Sequence, residues 1–167
     1  MSGLALNPFL KVGVQIAEAL RTVRGLDRRA AATRAGQALA RVGLGAERAR
    51  AYPHQLSGGM RRRVLIALAW ALAPRVLVAD EPLTGLDLLL QAEVLALLTA
   101  LAREQGMTLL LIGHDLRRLN EVCGRILVMA GGRVVDQGAP AQLWAHPGHP
   151  LTQAMVESLA FLEGGDA

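Results

Sequence analysis

The chain has 167 residues, a length that suits one domain with a sizeable core. Hydrophobic residues make up 52% and aromatics 3%, so aliphatic packing must dominate and a base-stacking nucleic-acid surface is disfavoured. With 18 cations against 14 anions the net charge is +4. The arginines are scattered, which fits solvated faces and ion pairs better than a nucleic-acid patch.

In chain order, the amino end reads MSGLALNPFLK and lacks the basic start and apolar block of a secretory leader. Val12, Ile16, Ala19, Leu20 and Val23 recur at three- and four-residue spacing and predict an amphipathic helix. Gly25-Leu26-Asp27 interrupts the pattern, with Asp27 placed to cap a second helix carrying Ala38, Leu39 and Val42. Helical character is expected to about residue 50. Ser57 is placed to cap a helix running to about residue 73, which Pro74 ends. The only dense basic run, Arg61-Arg62-Arg63, falls within it.

Beyond Pro74 the pattern alternates. Residues 75–79 (RVLVA) read as a strand, 88–103 as a helix with Gly106 after its end, and 107–112 (MTLLLI) as a strand. Asp115 is placed to cap a short helix. Residues 125–129 and 133–136 flank Gly131-Gly132, a hairpin signal. Wholly apolar strands separated by helices predict an α/β fold with a buried, mainly parallel sheet and an antiparallel edge. Cys123 is the sole cysteine, which excludes an intrachain disulfide and a cysteine metal cluster and fits a reducing compartment. No apolar run approaches the ~20 residues that span a bilayer, so the expectation is a soluble protein, peripheral at most.

Three segments carry chemistry. Strand 75–79 runs into Asp80-Glu81, and ligands of open parallel sheets sit beyond the carboxyl ends of strands. Asp80 there can serve Mg²⁺ and Glu81 can polarise a water for attack on a phosphoryl group; a helix cap or a solvated loop is the alternative. In LSGGM, residues 56–60, Ser57-Gly58-Gly59 open a helix, so free N–H groups, a hydroxyl and the helix dipole converge as a phosphate requires. An ordinary capped turn has the same pattern. His114 follows strand 107–112, on the sheet edge expected for Glu81, where an imidazole can contact a γ-phosphate or serve as a structural hydrogen-bonder.

In combination and in this order, LSGGM, VLVADEP, TGLD (residues 84–87) and LIGHD resemble the signature sequence, Walker B strand, D-loop and H-loop of ATP-binding-cassette (ABC) transporter ATPases. The resemblance implies the P-loop NTPase-like fold, here only its carboxy-terminal part, with an α-helical subdomain. It implies an ATPase using ATP and Mg²⁺, with Glu81 as catalytic base, His114 on the γ-phosphate and Asp80 at the metal. Asp87 would couple the two sites of a head-to-tail dimer, while Ser57, Gly58 and Gly59 would bind ATP held by a second ABC ATPase subunit. The segments LNPFLKVGVQIAEAL, AYPHQLSGGM and HPGHPLTQAMVESL are similar to dipeptide, oligopeptide and nickel importer ATPases. That subfamily implies permease subunits as partners, a peripheral place on the cytoplasmic membrane face, and no nucleic acid.

The implied division is a helical subdomain over 1–73, a catalytic α/β part over 74–138 and a helical tail over 139–167. Two departures stand out: Arg62 occupies the place of a usual glutamine, and PLTGLD replaces the common PTTALD. A Walker A loop, Gly-x-x-x-x-Gly-Lys-Ser/Thr, is not found, because Lys11 is the only lysine and follows no glycine run. The Q-loop glutamine would fall ahead of Met1, and Gln15, within a helix, is no substitute. An inactive isolated chain, truncated at its amino end, is therefore expected. Two alternatives remain: a non-enzymatic partner that donates LSGGM in trans, and a soluble cassette acting on DNA or in translation.

Overall fold

A computed structural model of the chain describes residues 6–163, with side chains to residue 158. The start of the segment read for a leader, residues 1–5, and the end of the expected tail, 164–167, lie outside the described residues. The chain forms two compact units that meet in sequence at Leu110 and Leu111.

The first unit opens with α1 (Val12–Arg24), α2 (Arg28–Arg41) and α3 (Gly58–Leu72). The spacing of Val12, Ile16 and Leu20 puts them on one face of α1, where all three are wholly buried. Gly25, at φ 66°, ends α1 in the left-handed conformation that glycine adopts without strain. The Asp27 carboxylate then caps α2 by accepting from the Arg29 and Ala30 amides, each at 2.8 Å. Ala31, Ala35 and Ala38 are the buried residues of α2 together with Leu39. Small side chains there let α2 lie close to α1 and α3.

Helix does not continue to residue 50. Gly43, at φ 74°, breaks it, and two 3₁₀ turns follow at Ala46–Arg50 and Pro53–Gln55. The first turn packs on α1 so closely that a Cβ at Gly13 would sit 2.8 Å from the Ala49 carbonyl oxygen. Gln15, on α1, is occupied with its own neighbourhood: Nε2 donates to the Leu10 and Asn7 carbonyls, and Oε1 accepts from the Asn7 amide.

At its far end α3 stops on Ala73 at φ 44°, and Arg24 of α1 donates to the Leu72 and Ala73 carbonyls, the latter at 2.7 Å. An arginine from another helix thus satisfies the carbonyls that a helix terminus leaves open. β1 (Val76–Asp80), α4 (Leu88–Gln105) and β2 (Thr108–Ile112) follow, and β1 and β2 pair in a two-stranded sheet. The α4 crossover is the connection a parallel pair needs.

The expectation of a buried sheet is not met among the described residues. Both strands alternate exposed and half-buried positions, and Val76 and Val78 are 54% and 55% exposed. Continuous apolarity normally reports a strand covered on both faces. Here the described residues cover one face of each strand, through side chains such as Leu77 and Leu109, which are half-buried.

The second unit contains α5 (Leu116–Val122), β3 (Ile126–Ala130), β4 (Arg133–Gly138), α6 (Pro140–Ala145) and α7 (Pro150–Glu163). Asp115 caps α5 through the Arg117 and Arg118 amides. β3 and β4 pair antiparallel, as expected, with Gly131 and Gly132 both at positive φ in the two-residue turn. They form a sheet of their own rather than the edge of the β1–β2 sheet. Leu116, Ile126, Val128 and Leu143 make the core of the unit.

The HPLT segment that marked the tail has a structural task here. His149 Nδ1 accepts from the Leu151 amide at the start of α7, Pro150 opens the helix, and Thr152 is wholly buried. Asp136 on β4 accepts from the Gly148 amide at 2.9 Å and ties the strand to this corner. Its carboxyl is held below the usual carboxylate range, chiefly by the Thr152 hydroxyl; burial opposes this as the next largest effect, and the amides of Gly148, Gln137 and His149 add to the lowering. That hydroxyl lies outside strict hydrogen-bond geometry, so its influence is electrostatic as much as directional. A depressed folded-state pKa adds stability above the unfolded value, about 3.9, and that stability is lost as pH falls through the folded value. Asp136→Ala should therefore lower the melting temperature at pH 7, and the difference from the parent should shrink as pH drops below about 4. Thermal melts across pH, followed by near-UV circular dichroism, measure this; a difference independent of pH would show that the carboxylate charge is irrelevant.

Candidate functional site

The start of α3 is built as expected. Ser57 sits at the N-cap in an extended conformation and its Oγ accepts from the Met60 amide at 3.2 Å. That bond uses a lone pair and leaves the hydroxyl hydrogen free to donate. The Gly58 and Gly59 amides make no hydrogen bond among the described residues, as first-turn amides of a helix do not. Among the described residues no packing requires glycine at these positions. A Cβ at Gly58 would meet nothing within 4 Å, and one at Gly59 would touch only Leu90 Cδ2 at 3.6 Å. Without side chains the pair leaves its backbone open to close approach.

These residues open into a groove of about 750 Å³. Ser57, Gly58 and Gly59 form one wall, and Gly85, Leu86 and Asp87 another. Four of the residues singled out in sequence, Ser57, Gly58, Gly59 and Asp87, are thereby brought together. The Asp87 carboxylate also caps α4, accepting from the Leu90 amide at 2.9 Å. The stretch Gly43-Leu44-Gly45 with Arg48 completes the groove and was missed in sequence. Its signal, two glycines one residue apart between helical patterns, is shared with ordinary loops.

The three consecutive arginines are structural ties, not a solvated stripe. Arg61 donates to the Leu56 carbonyl at 3.0 Å and to Pro53 at 3.4 Å, holding the turn before α3. Arg62 reaches the Thr84 carbonyl at 3.3 Å, and burial lowers its pKa. Arg63 joins the Val42 carbonyl at 3.0 Å to Glu93 of α4 at 2.7 Å. The signature-like turn is thus pinned to α2, to α4 and to the loop after β1.

Asp80 ends β1 and is exposed. Glu81 follows at φ 49°, a left-handed backbone that costs a non-glycine residue about 1 kcal/mol or more and concentrates at functional sites. Thr84 Oγ1 donates to Glu81 Oε2 at 2.8 Å, which fixes the carboxylate's direction. Neither residue lines the groove. His114 lies in the second unit, exposed, two residues beyond the end of β2. Among the described residues no cluster of three His, Cys, Asp or Glu could hold a metal. The exposed Asp80 carboxylate suits Mg²⁺, which keeps most of its waters and arrives with substrate phosphates.

Comparison with known proteins agrees with the motifs. The ABC transporter family model matches residues 4–84. The dipeptide transport ATP-binding protein of Haemophilus influenzae is 45% identical over 163 residues, 96% of this chain and 49% of the relative. Over nearly its whole length the chain is similar in sequence to ABC transporter ATP-binding proteins. A putative peptide import ATP-binding protein of Brucella melitensis is 44% identical across 98% of the chain and 48% of its own length. The dipeptide transport ATP-binding protein of Escherichia coli is 43% identical across 93% and 48%. A solved dimeric structure of the ATP-binding cassette MJ0796, with ADP and phosphate in a post-hydrolysis state, superposes with a TM-score of 0.69 at 29% identity. It covers 81% of this chain and 59% of that one. The fold is therefore the α/β arrangement of ABC ATPases. The chain spans about half the length of the curated relatives it matches.

Proposed function

We propose that this chain acts in the ATP-driven coupling machinery of an ABC importer for peptides, presenting Ser57, Gly58, Gly59 and Asp87 to ATP carried by a second ABC ATPase subunit. The groove that unites those four residues carries the proposal. Gly58 and Gly59 are unobstructed from within, and the helix N-terminus they open offers free amides and a partial positive charge to phosphate. The names of the relatives favour peptide over the nickel that the sequence flanks left open.

In this reading Glu81 acts as general base in a complete assembly, with its carboxylate aimed by Thr84, and His114 meets the γ-phosphate. Asp80 would hold Mg²⁺, which when bound neutralises phosphate charge. The division into a helical part (1–73), a catalytic part (74–138) and a helical tail (139–167) gives the helical part to the permease, at the cytoplasmic membrane face. Exposed Phe9, Val14 and Val23 supply apolar surface there. No described helix is long and apolar enough to cross a membrane.

The chain alone carries no lysine loop for the β- and γ-phosphates, so it should turn over no ATP by itself. Mixed with a full-length peptide-importer ATPase, it should associate when ATP is present and not when ATP is withheld. Sedimentation velocity of the mixture reads both states. Association indifferent to ATP would defeat the proposal, and robust Glu81-dependent hydrolysis by the chain alone would defeat the division of labour.

A further inference from the structure

The two walls of the groove come from separate stretches, the first turn of α3 and the loop between β1 and α4. That loop is turned by its own Thr84-to-Glu81 and Leu86-to-Leu83 backbone bonds, at 3.4 and 3.3 Å, and side chains from the flanking helices tie it to the rest of the unit. From α4, Gln91 Nε2 donates to the Leu86 carbonyl at 3.1 Å and approaches the Leu83 carbonyl at 3.5 Å. From α3, Arg62 Nη2 donates to the Thr84 carbonyl at 3.3 Å. Arg62 follows Gly58 by four residues and Gly59 by three, on the same face of one rigid helix. Its Nη1 is buried without a hydrogen-bond partner among the described residues, so packing confines the guanidinium. Thr84, the residue it holds, also fixes Glu81 through its hydroxyl.

We propose that Arg62 is a positioning residue that latches residues 83–87 to the start of α3, so that both walls of the groove meet a phosphate as one surface. This rests on the function proposed above and names what keeps that site in register. The length of the side chain decides it. A glutamine is two atoms shorter and would not reach Thr84 from the same backbone, whereas a lysine is one atom shorter and keeps the charge and a donor. Loss of the donor leaves one loop carbonyl untied and the loop free to move independently of the helix.

The test uses Arg62→Met and Arg62→Lys in the whole chain. Amide exchange of residues 83–87 is read on the chain alone, ATP-dependent association with a full-length peptide-importer ATPase by titration, and the melting temperature as a control. Arg62→Met should speed exchange of the loop amides about tenfold while leaving the interior of α3 and the melting temperature unchanged. It should also weaken ATP-dependent association by about tenfold without touching any ATP-independent background, and Arg62→Lys should recover most of both effects. Unchanged loop exchange, or exchange raised throughout α3 with a lowered melting temperature and no rescue by lysine, overturns the latch. Absence of ATP-dependent association by the unaltered chain defeats the proposed function instead, and the exchange measurement still decides whether Arg62 holds the loop.

Discussion

Gly59→Asp should abolish ATP-dependent association with a full-length importer ATPase while leaving the chain folded. The two halves of that expectation come from different measurements on the structure. A Cβ at Gly59 would lie 3.6 Å from Leu90 Cδ2, an ordinary contact, and residue 59 already has helical geometry, so the fold has little to lose. A carboxylate in the first turn of α3 is even favoured by the helix dipole when nothing is bound. Once an ATP phosphate is brought to the same amides, the two anions compete for them in a site closed to water. The repulsion there is of order 3 kcal/mol or more, which weakens association by more than about a hundredfold. Gly59→Ala, which adds bulk without charge, should cost much less and separates the two effects. Retained association by the Asp variant would mean that phosphate does not approach this turn.

The caps were the most legible part of the fold. Asp27, Ser57 and Asp115 each stand before a helix and each accepts a first-turn amide, because a short side-chain oxygen is the local answer to unpaired N–H groups; Asp87 does the same for α4 and was not read as a cap. Motif order singled out Ser57, Gly58, Gly59 and Asp87 but did not group them, and periodicity could not have put a loop at residue 87 beside a helix at residue 58.

Three features were not legible, each for a physical reason. The break after Arg41 depends on Gly43 taking a positive φ, which composition permits but does not demand. The exposed alternation of β1 depends on which elements cover the sheet, and an apolar strand has the same letters whether or not a neighbour is present. The arginine run was legible only as far as the Arg63–Glu93 ion pair, because its other acceptors, at Leu56, Thr84 and Val42, are backbone carbonyls that no charge pattern reports. HPLT was read as a family mark. In the structure it is a helix start, with His149 accepting from the Leu151 amide and Pro150 opening α7, next to the Gly148 amide that Asp136 holds.

Leu39→Ala should be the most damaging single truncation in the first unit. Leu39 is wholly buried at the last turn of α2, where its own helix neighbours are Ala35 and Ala38. Helices packed through alanines have little side chain with which to collapse into a hole, so the void should persist. Large-to-small changes at such sites cost about 2–5 kcal/mol, and the upper part of that range applies where relaxation is blocked. Against the roughly 5–15 kcal/mol that holds a typical domain together, this brings the unit close to unfolding. The consequence reaches the groove, because Arg63 bonds the Val42 carbonyl just beyond α2 and so ties the end of that helix to α3. Urea titration followed by tryptophan fluorescence should show a midpoint lowered by more than about 1 M, given a slope of about 1–3 kcal/mol per molar. Trp70, buried on α3, provides the signal for this unit. Phe9→Ala, at a side chain 85% exposed, is the matched control and should leave the midpoint in place. A midpoint unmoved by Leu39→Ala would mean that α2 is not held by this contact and that the anchorage of α3 lies elsewhere.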